Sequence, residues 1–110
     1  MSNTNTLSEF LEEASAGEFD GTAQVFAIQS KITGIVSVIN DGQEVALFWS
    51  DLVRAELWNN DPDCVVVGAP YRVWGFQMLP DVRQDNIMVG LNWGETESVY
   101  TAEEVIDALL

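Results

Sequence analysis

Carboxylates are the plentiful reactive groups of this chain, with eighteen Asp and Glu against four Lys and Arg, no His and one Cys in 110 residues. Paired carboxylates can divide acid and base roles or hold a hard cation. The dense spots are Glu12–Glu13, Glu103–Glu104 and Asp61 with Asp63. Both Glu pairs fall on the polar sides of amphipathic patterns, where a solvated face is the ordinary state. The run from Asn59 to Asp63 (NNDPD) offers oxygens to calcium but lacks the Gly and downstream Glu of an EF-hand loop. Without His there is no Ser–His or Cys–His pair and no imidazole ligand for zinc. Cys64 is expected as a small hydrophobe, with no intrachain disulfide open to it. Neither a GxGxxG run nor a P-loop is present. No catalytic, cofactor-binding or metal-ligating residue is therefore assigned.

The formal charge of −14 excludes two partner classes. Binding nucleic acid by neutralising phosphates needs cations, and these are Lys31, Arg54, Arg72 and Arg83 alone. An anionic membrane surface would repel the chain. Remaining candidates are basic proteins, cations or no partner at all. Trp49, Trp58, Tyr71, Trp74 and Trp93 could stack bases, but such sites also need a positive groove, so most of these rings are expected in the core. No apolar stretch reaches the length of a membrane-spanning helix. MSNTNT has neither a basic n-region nor an apolar h-region, so a cytoplasmic location is expected.

The elements that position these residues are organised around Leu47–Trp58, LFWSDLVRAELW. Val45, Leu47 and Trp49 alternate with Ala46 and Phe48, as in a strand. Ser50 is expected to cap a short helix, with Asp51 against its positive end. At helical spacing Leu52, Val53, Glu56 and Leu57 share one side. Trp58 falls on the other, one turn after Arg54. It either lies along the Arg54 stem or under a loop, or stands out as an aromatic anchor.

Taking the chain in order, residues 1–6 are expected as a flexible tail and 7–110 as a single domain. Thr6 and Glu9 have capping-box spacing for a first helix with Phe10 and Leu11 on its apolar face, ending near Gly17. A strand over Ala23–Ser30 and a second over Ile35–Ile39 follow. Asp41-Gly42 predicts a two-residue hairpin turn with Asn40 opposite Gln43 and Val38 opposite Val45. One face then carries Val36, Val38, Val45 and Leu47. The other carries Ile35, Ser37, Ile39, Glu44, Ala46 and Phe48, half apolar and open to a further layer or a second copy. Cys64–Val67 reads as a buried strand. Pro70 is expected to open a third helix and Pro80 to end or kink it, with a polar connection over Asp81–Asn86. Ile87–Trp93 reads as a strand, Gly94–Ser98 as an acidic turn, and Thr101 with Glu104 as the capping box of a last helix. These elements give an α+β fold, a small mixed, mainly antiparallel sheet with about four helices packed mostly on one face.

The strand ending in Trp49 with its Ser-capped helix and Ala55, the Phe76–Leu79 helix before Pro80, the segment Val89-Gly90-Leu91-Asn92-Trp93 and the closing Ala108-Leu109 carry a resemblance. Over nearly the whole chain the sequence resembles an uncharacterised bacterial family, domain of unknown function family 2750. The resemblance implies a small cytoplasmic α+β domain and brings no catalytic residues. The chain is more acidic than that pattern requires.

These readings point to a non-enzymatic protein-interaction or regulatory module with a partner of basic character. Its surface is expected at Arg54 and Trp58, or at Ile35, Ile39 and Phe48. The second patch would suit a homodimer, in which case Phe48→Glu would give a folded monomer. The alternatives are a nucleic-acid mimic or immunity-type inhibitor, and, less favoured, a carboxylate-based enzyme.

Overall fold

The computed structural model describes residues 3–16, 23–31, 34–94 and 98–109, with side chains from Leu7 onward. Expectations at Gly17, at residues 32–33 of the first turn and at 95–97 of the acidic turn lie outside the described residues. Among the described residues the fold is α+β, with four helical stretches and two sheets.

Helix α1 (Asn3–Ala14) starts one turn ahead of Thr6, so four residues of the expected tail are helical and Thr6 is not the first cap. Strand β1 (Gln24–Ser30) pairs antiparallel with β2 (Gly34–Ile35) on one side. On its other side β1 pairs with β5 (Cys64–Pro70) along its full length. The expected second strand is broken. Its first residues, β2, belong to the sheet of β1, and its last, β3 (Ser37–Asn40), pair with β4 (Gln43–Phe48) in a second sheet. At the corner the Val36 N–H donates to the Ile28 carbonyl, 2.8 Å. The hairpin register is as the turn residues require, with Asn40 opposite Gln43 and Val38 opposite Val45. Asp41 at φ 52 and Gly42 at φ 77 supply the two left-handed residues that let this turn match strand twist.

The second sheet runs β3-β4-β6-β7, with β6 as Met88–Leu91 and β7 as Val99–Thr101. Strands β4 and β6 are parallel, Val45 opposite Met88 and Phe48 opposite Leu91. The two sheets are also tied where Phe26 and Trp49 exchange both backbone hydrogen bonds at 2.8 Å.

Two apolar clusters fill the fold. The larger joins α1, β1, β4, β6, the helical stretch over 71–84 and α5 (Ala102–Leu109), through Phe10, Phe48, Trp74, Leu79, Leu91 and Val105. Three of the four helical stretches thus cover one side, as expected. The smaller takes Ile28, Val45, Leu47, Trp49 and Ala55, with Val36, Val38 and Trp58 packed against them. It lies on the opposite side of β4, because residues two apart on a strand share a face. Both faces of β4 are therefore covered, and Phe48 is 1 % exposed. Of the two outcomes open for this face, a further layer of the chain covers it at Phe48, which belongs to the core and not to a surface patch, while Ile35 and Ile39 at the sheet margin stay exposed.

The third helix runs through Pro80. Tyr71–Val73 (α3) leads into a π-helical turn, Trp74–Met78, and then α4, Leu79–Gln84. The Leu79 N–H reaches back five residues to the Trp74 carbonyl. A proline interrupts the ordinary i→i−4 ladder, and the wider turn just before it absorbs that break. Residues 81–84, expected as a polar connection, are its last turn. Strand β5 is also longer than expected, and it is not the buried strand read from Cys64–Val67: its residues are half-buried or exposed, and it forms an edge of its sheet among the described residues.

Candidate functional site

Where β4 and β6 end side by side, the chain turns away through Trp49-Ser50 and Asn92-Trp93. In open parallel sheets the carboxyl ends of neighbouring strands are where ligands are received. The Asn92 N–H still donates to the Phe48 carbonyl at 2.8 Å, continuing the parallel ladder. Its backbone then adopts φ 52. Asn tolerates this left-handed region because its short side chain can bond locally. Here Oδ1 accepts the Ser50 N–H at 3.0 Å and faces Ser50 Oγ at 3.3 Å. The consequence is a reversal of side. Ile87, Val89 and Leu91 face the larger cluster, while Trp93 joins the smaller one instead of continuing with them. Trp93 then offers its carbonyl to Trp49 Nε1, 2.9 Å.

Helix α2 (Leu52–Trp58) starts from this floor. Its cap is Asp51, not Ser50: the Asp51 carboxylate accepts the Val53 N–H at 2.7 Å. Ser50 is occupied elsewhere, with Oγ accepting from Arg54 Nη1 at 3.1 Å and lying 3.4 Å from Glu13 Oε1. Arg54 also pairs with Glu13 at 2.9 Å, which ties α1 to α2. The pair is half in solvent, so its contribution to stability is a fraction of a kcal/mol, about 0.5.

The orientation of α2 inverts what its apolar residues suggest. Ala55 is buried and Trp58 half-buried, packed at a centroid distance of 5.5 Å on Trp49. Trp58 also lies under the loop at Gly94, where an added Cβ would come within 2.8 Å of its Cδ1. Of the two readings of Trp58, this is the ring under a loop. Leu52, Val53 and Leu57 turn to solvent, at 43 %, 59 % and 81 % exposed. Sequence reasoning named Arg54 and Trp58 but missed this stripe. Its signal was present in the shared side of Leu52, Val53 and Leu57, yet periodicity does not say which side of a helix meets the core.

A cleft of ≈ 370 Å³ opens between α2 and the turn after β6, lined by Arg54, Leu57, Trp58, Trp93 and Gly94. The second expected patch does not form one surface. Ile35 and Phe48 line a separate groove of ≈ 230 Å³ with Met78 and Val82. Ile39 stands outside it, 72 % exposed.

Asn59 Oδ1 accepts the Asp61 N–H and the Asp61 carboxylate accepts the Asp63 N–H, so one oxygen of each closes a side-chain turn. Among the described residues no three His, Cys, Asp or Glu converge as a metal site. Burial, then the carboxylates of Asp61 and Asp63, push the Cys64 thiol above its ordinary range, against a hydrogen bond from Ser30. At neutral pH it is a protonated thiol. No described helix is long and apolar enough to cross a membrane.

Comparison with curated proteins found no match. A family model, described as a protein of unknown function (DUF2750), matches residues 7–109, and by that match over nearly its whole length the chain belongs to this family.

Proposed function

We propose that this protein is a non-enzymatic, cytoplasmic interaction module that meets a protein partner of basic character. The supporting observation is the apolar stripe of α2, exposed beside an aromatic cleft on a chain of net charge −14. Helices of globular proteins ordinarily turn such a side inward. The polar groups at the carboxyl ends of β4 and β6 support the same reading, since Ser50, Arg54, Glu13 and Asn92 bond to one another and build the surface.

The reading is tested by recovering partners on the tagged full chain from its source cells, washed at low and at high salt. A stoichiometric partner at low salt that is lost at high salt is the expected result, because screening weakens charge attraction. Recovery of none at low salt would remove the reading.

One observation favours a second reading, a mimic of a phosphate array. Helices α1 and α5 touch, and their outer sides expose Glu9, Glu12 and Glu13 on one and Glu103, Glu104 and Asp107 on the other. Competition with DNA for a partner that itself binds nucleic acid separates this from simple docking.

A further inference from the structure

Exposed apolar side chains are common singly. Ile39, Val65 and Phe76 each stand on a different element, and Leu52, Val53 and Leu57 share one seven-residue helix. Leu57 also lines the cleft of Trp58 and Trp93, so stripe and cleft are continuous. A contiguous apolar patch of this kind, unlike scattered single side chains, is a feature of contact surfaces.

Its charges restrict what can cover it. Glu56 lies within the stripe, exposed, three residues after Val53 and next to Leu57. Any partner that dries the stripe also takes water from this carboxylate, and a charge buried without a counter-ion is heavily penalised. Asp51 precedes the helix, and exposed Asp61 and Asp63 follow it. The one cation of α2, Arg54, is already bonded to Glu13. A second copy would bring the same carboxylate and its own charge of −14 to the contact. An anionic membrane would be repelled.

We infer that the α2 stripe and the adjoining Trp58–Trp93 cleft receive an amphipathic segment of another protein. That segment carries apolar anchors for Leu52, Val53 and Leu57 and a Lys or Arg placed to meet Glu56. The inference rests on the interaction-module reading and names its surface and the chemistry of its partner. Apolar anchors supply affinity and the cation supplies register and selectivity.

The probe is a synthetic amphipathic Leu/Lys helix, with a peptide of the same composition in non-amphipathic order as control. Binding to the full chain is followed by Trp fluorescence and by amide shifts in two-dimensional NMR. The expected result is salt-sensitive binding of the amphipathic peptide, with shifts confined to residues 50–58 and 92–94. Leu57→Glu separates apolar docking from charge attraction. It adds a negative charge, so attraction alone would tighten binding, and loss of the anchor weakens it about tenfold. Glu56→Gln lowers affinity and flattens the salt dependence. Both sites are exposed, and an unchanged melting curve shows that the variants fold. Unchanged or tighter binding by Leu57→Glu, equal binding of the control peptide, or shifts on α1 and α5 overturns the inference. A native partner held equally by the parent chain and Leu57→Glu also overturns it, yet leaves the interaction-module reading standing. A chain that holds no partner removes that reading.

Discussion

At the scale of single residues, Asn92 holds the floor of the site by two means at once. Its backbone is left-handed, and its Oδ1 accepts the Ser50 N–H. Asn92→Ala loses both and is expected to cost about 2–3 kcal/mol, from an unpaired N–H and backbone strain. Asn92→Gly keeps the backbone comfortable and should cost less, so urea unfolding of the pair separates the two contributions. Phe48 supplies a second prediction, which reverses the expectation of a folded monomer. A carboxylate at a fully buried position destabilises by more than about 4 kcal/mol, against a typical total of roughly 5–15. Phe48→Glu should therefore show no cooperative unfolding by circular dichroism. Cys64 gives a pH prediction. Its thiol is held above the ordinary range, so the thiolate that alkylates forms late. Reaction with iodoacetamide should be slow at neutral pH, with a midpoint above that of a free thiol. The same shift makes the folded state hold its proton longer than the unfolded state does. Stability should then fall as pH rises past the unfolded thiol's pKa.

At the scale of elements, some local signals decide structure directly. Thr101 and Glu104 form the reciprocal capping box read from their spacing, at 2.9 and 3.0 Å. Thr101→Ala should cost about 1 kcal/mol, measurable as a drop in melting temperature. Asp41-Gly42 likewise sets the hairpin register, because few turns accept two left-handed residues and this dipeptide does. Helix α2 behaves differently. Seven residues make too short a helix to be held by its own propensity, so packing decides its rotation. Trp49 and the loop at Gly94 form a seat for Trp58, and that seat, with Ala55, sets the inner side. Leu57→Glu should accordingly leave stability within about 0.5 kcal/mol, while Ala55→Glu should unfold the chain.

At the scale of the molecule, eighteen acids against four basic groups make like-charge repulsion a general burden on the folded state. Melting temperature should rise from low to molar salt as the repulsion is screened, and a flat curve would show that the acids are too dispersed to matter. On the reading proposed above, the same charge favours a partner of basic character. With so few cations, contact free energy would on that reading come from Leu52, Val53, Leu57 and the two tryptophans.

By itself the sequence determined whatever depends on neighbours along the chain. The α+β class, the hairpin register, the last helix's cap and the apolar faces of β4 are short-range consequences of turn chemistry and periodicity. It also determined the charge. Only the tertiary structure decided which side of α2 faces inward, that Phe48 is covered on a strand with two buried faces, and that Trp93 crosses to the side of Trp49 after Asn92. These outcomes rest on tertiary contacts that no local pattern encodes, such as Trp58 with Trp49 and Gly94, Phe48 with Trp74, and Ser50 with Asn92. Periodicity places residues on a common face, and the rest of the fold decides what that face meets.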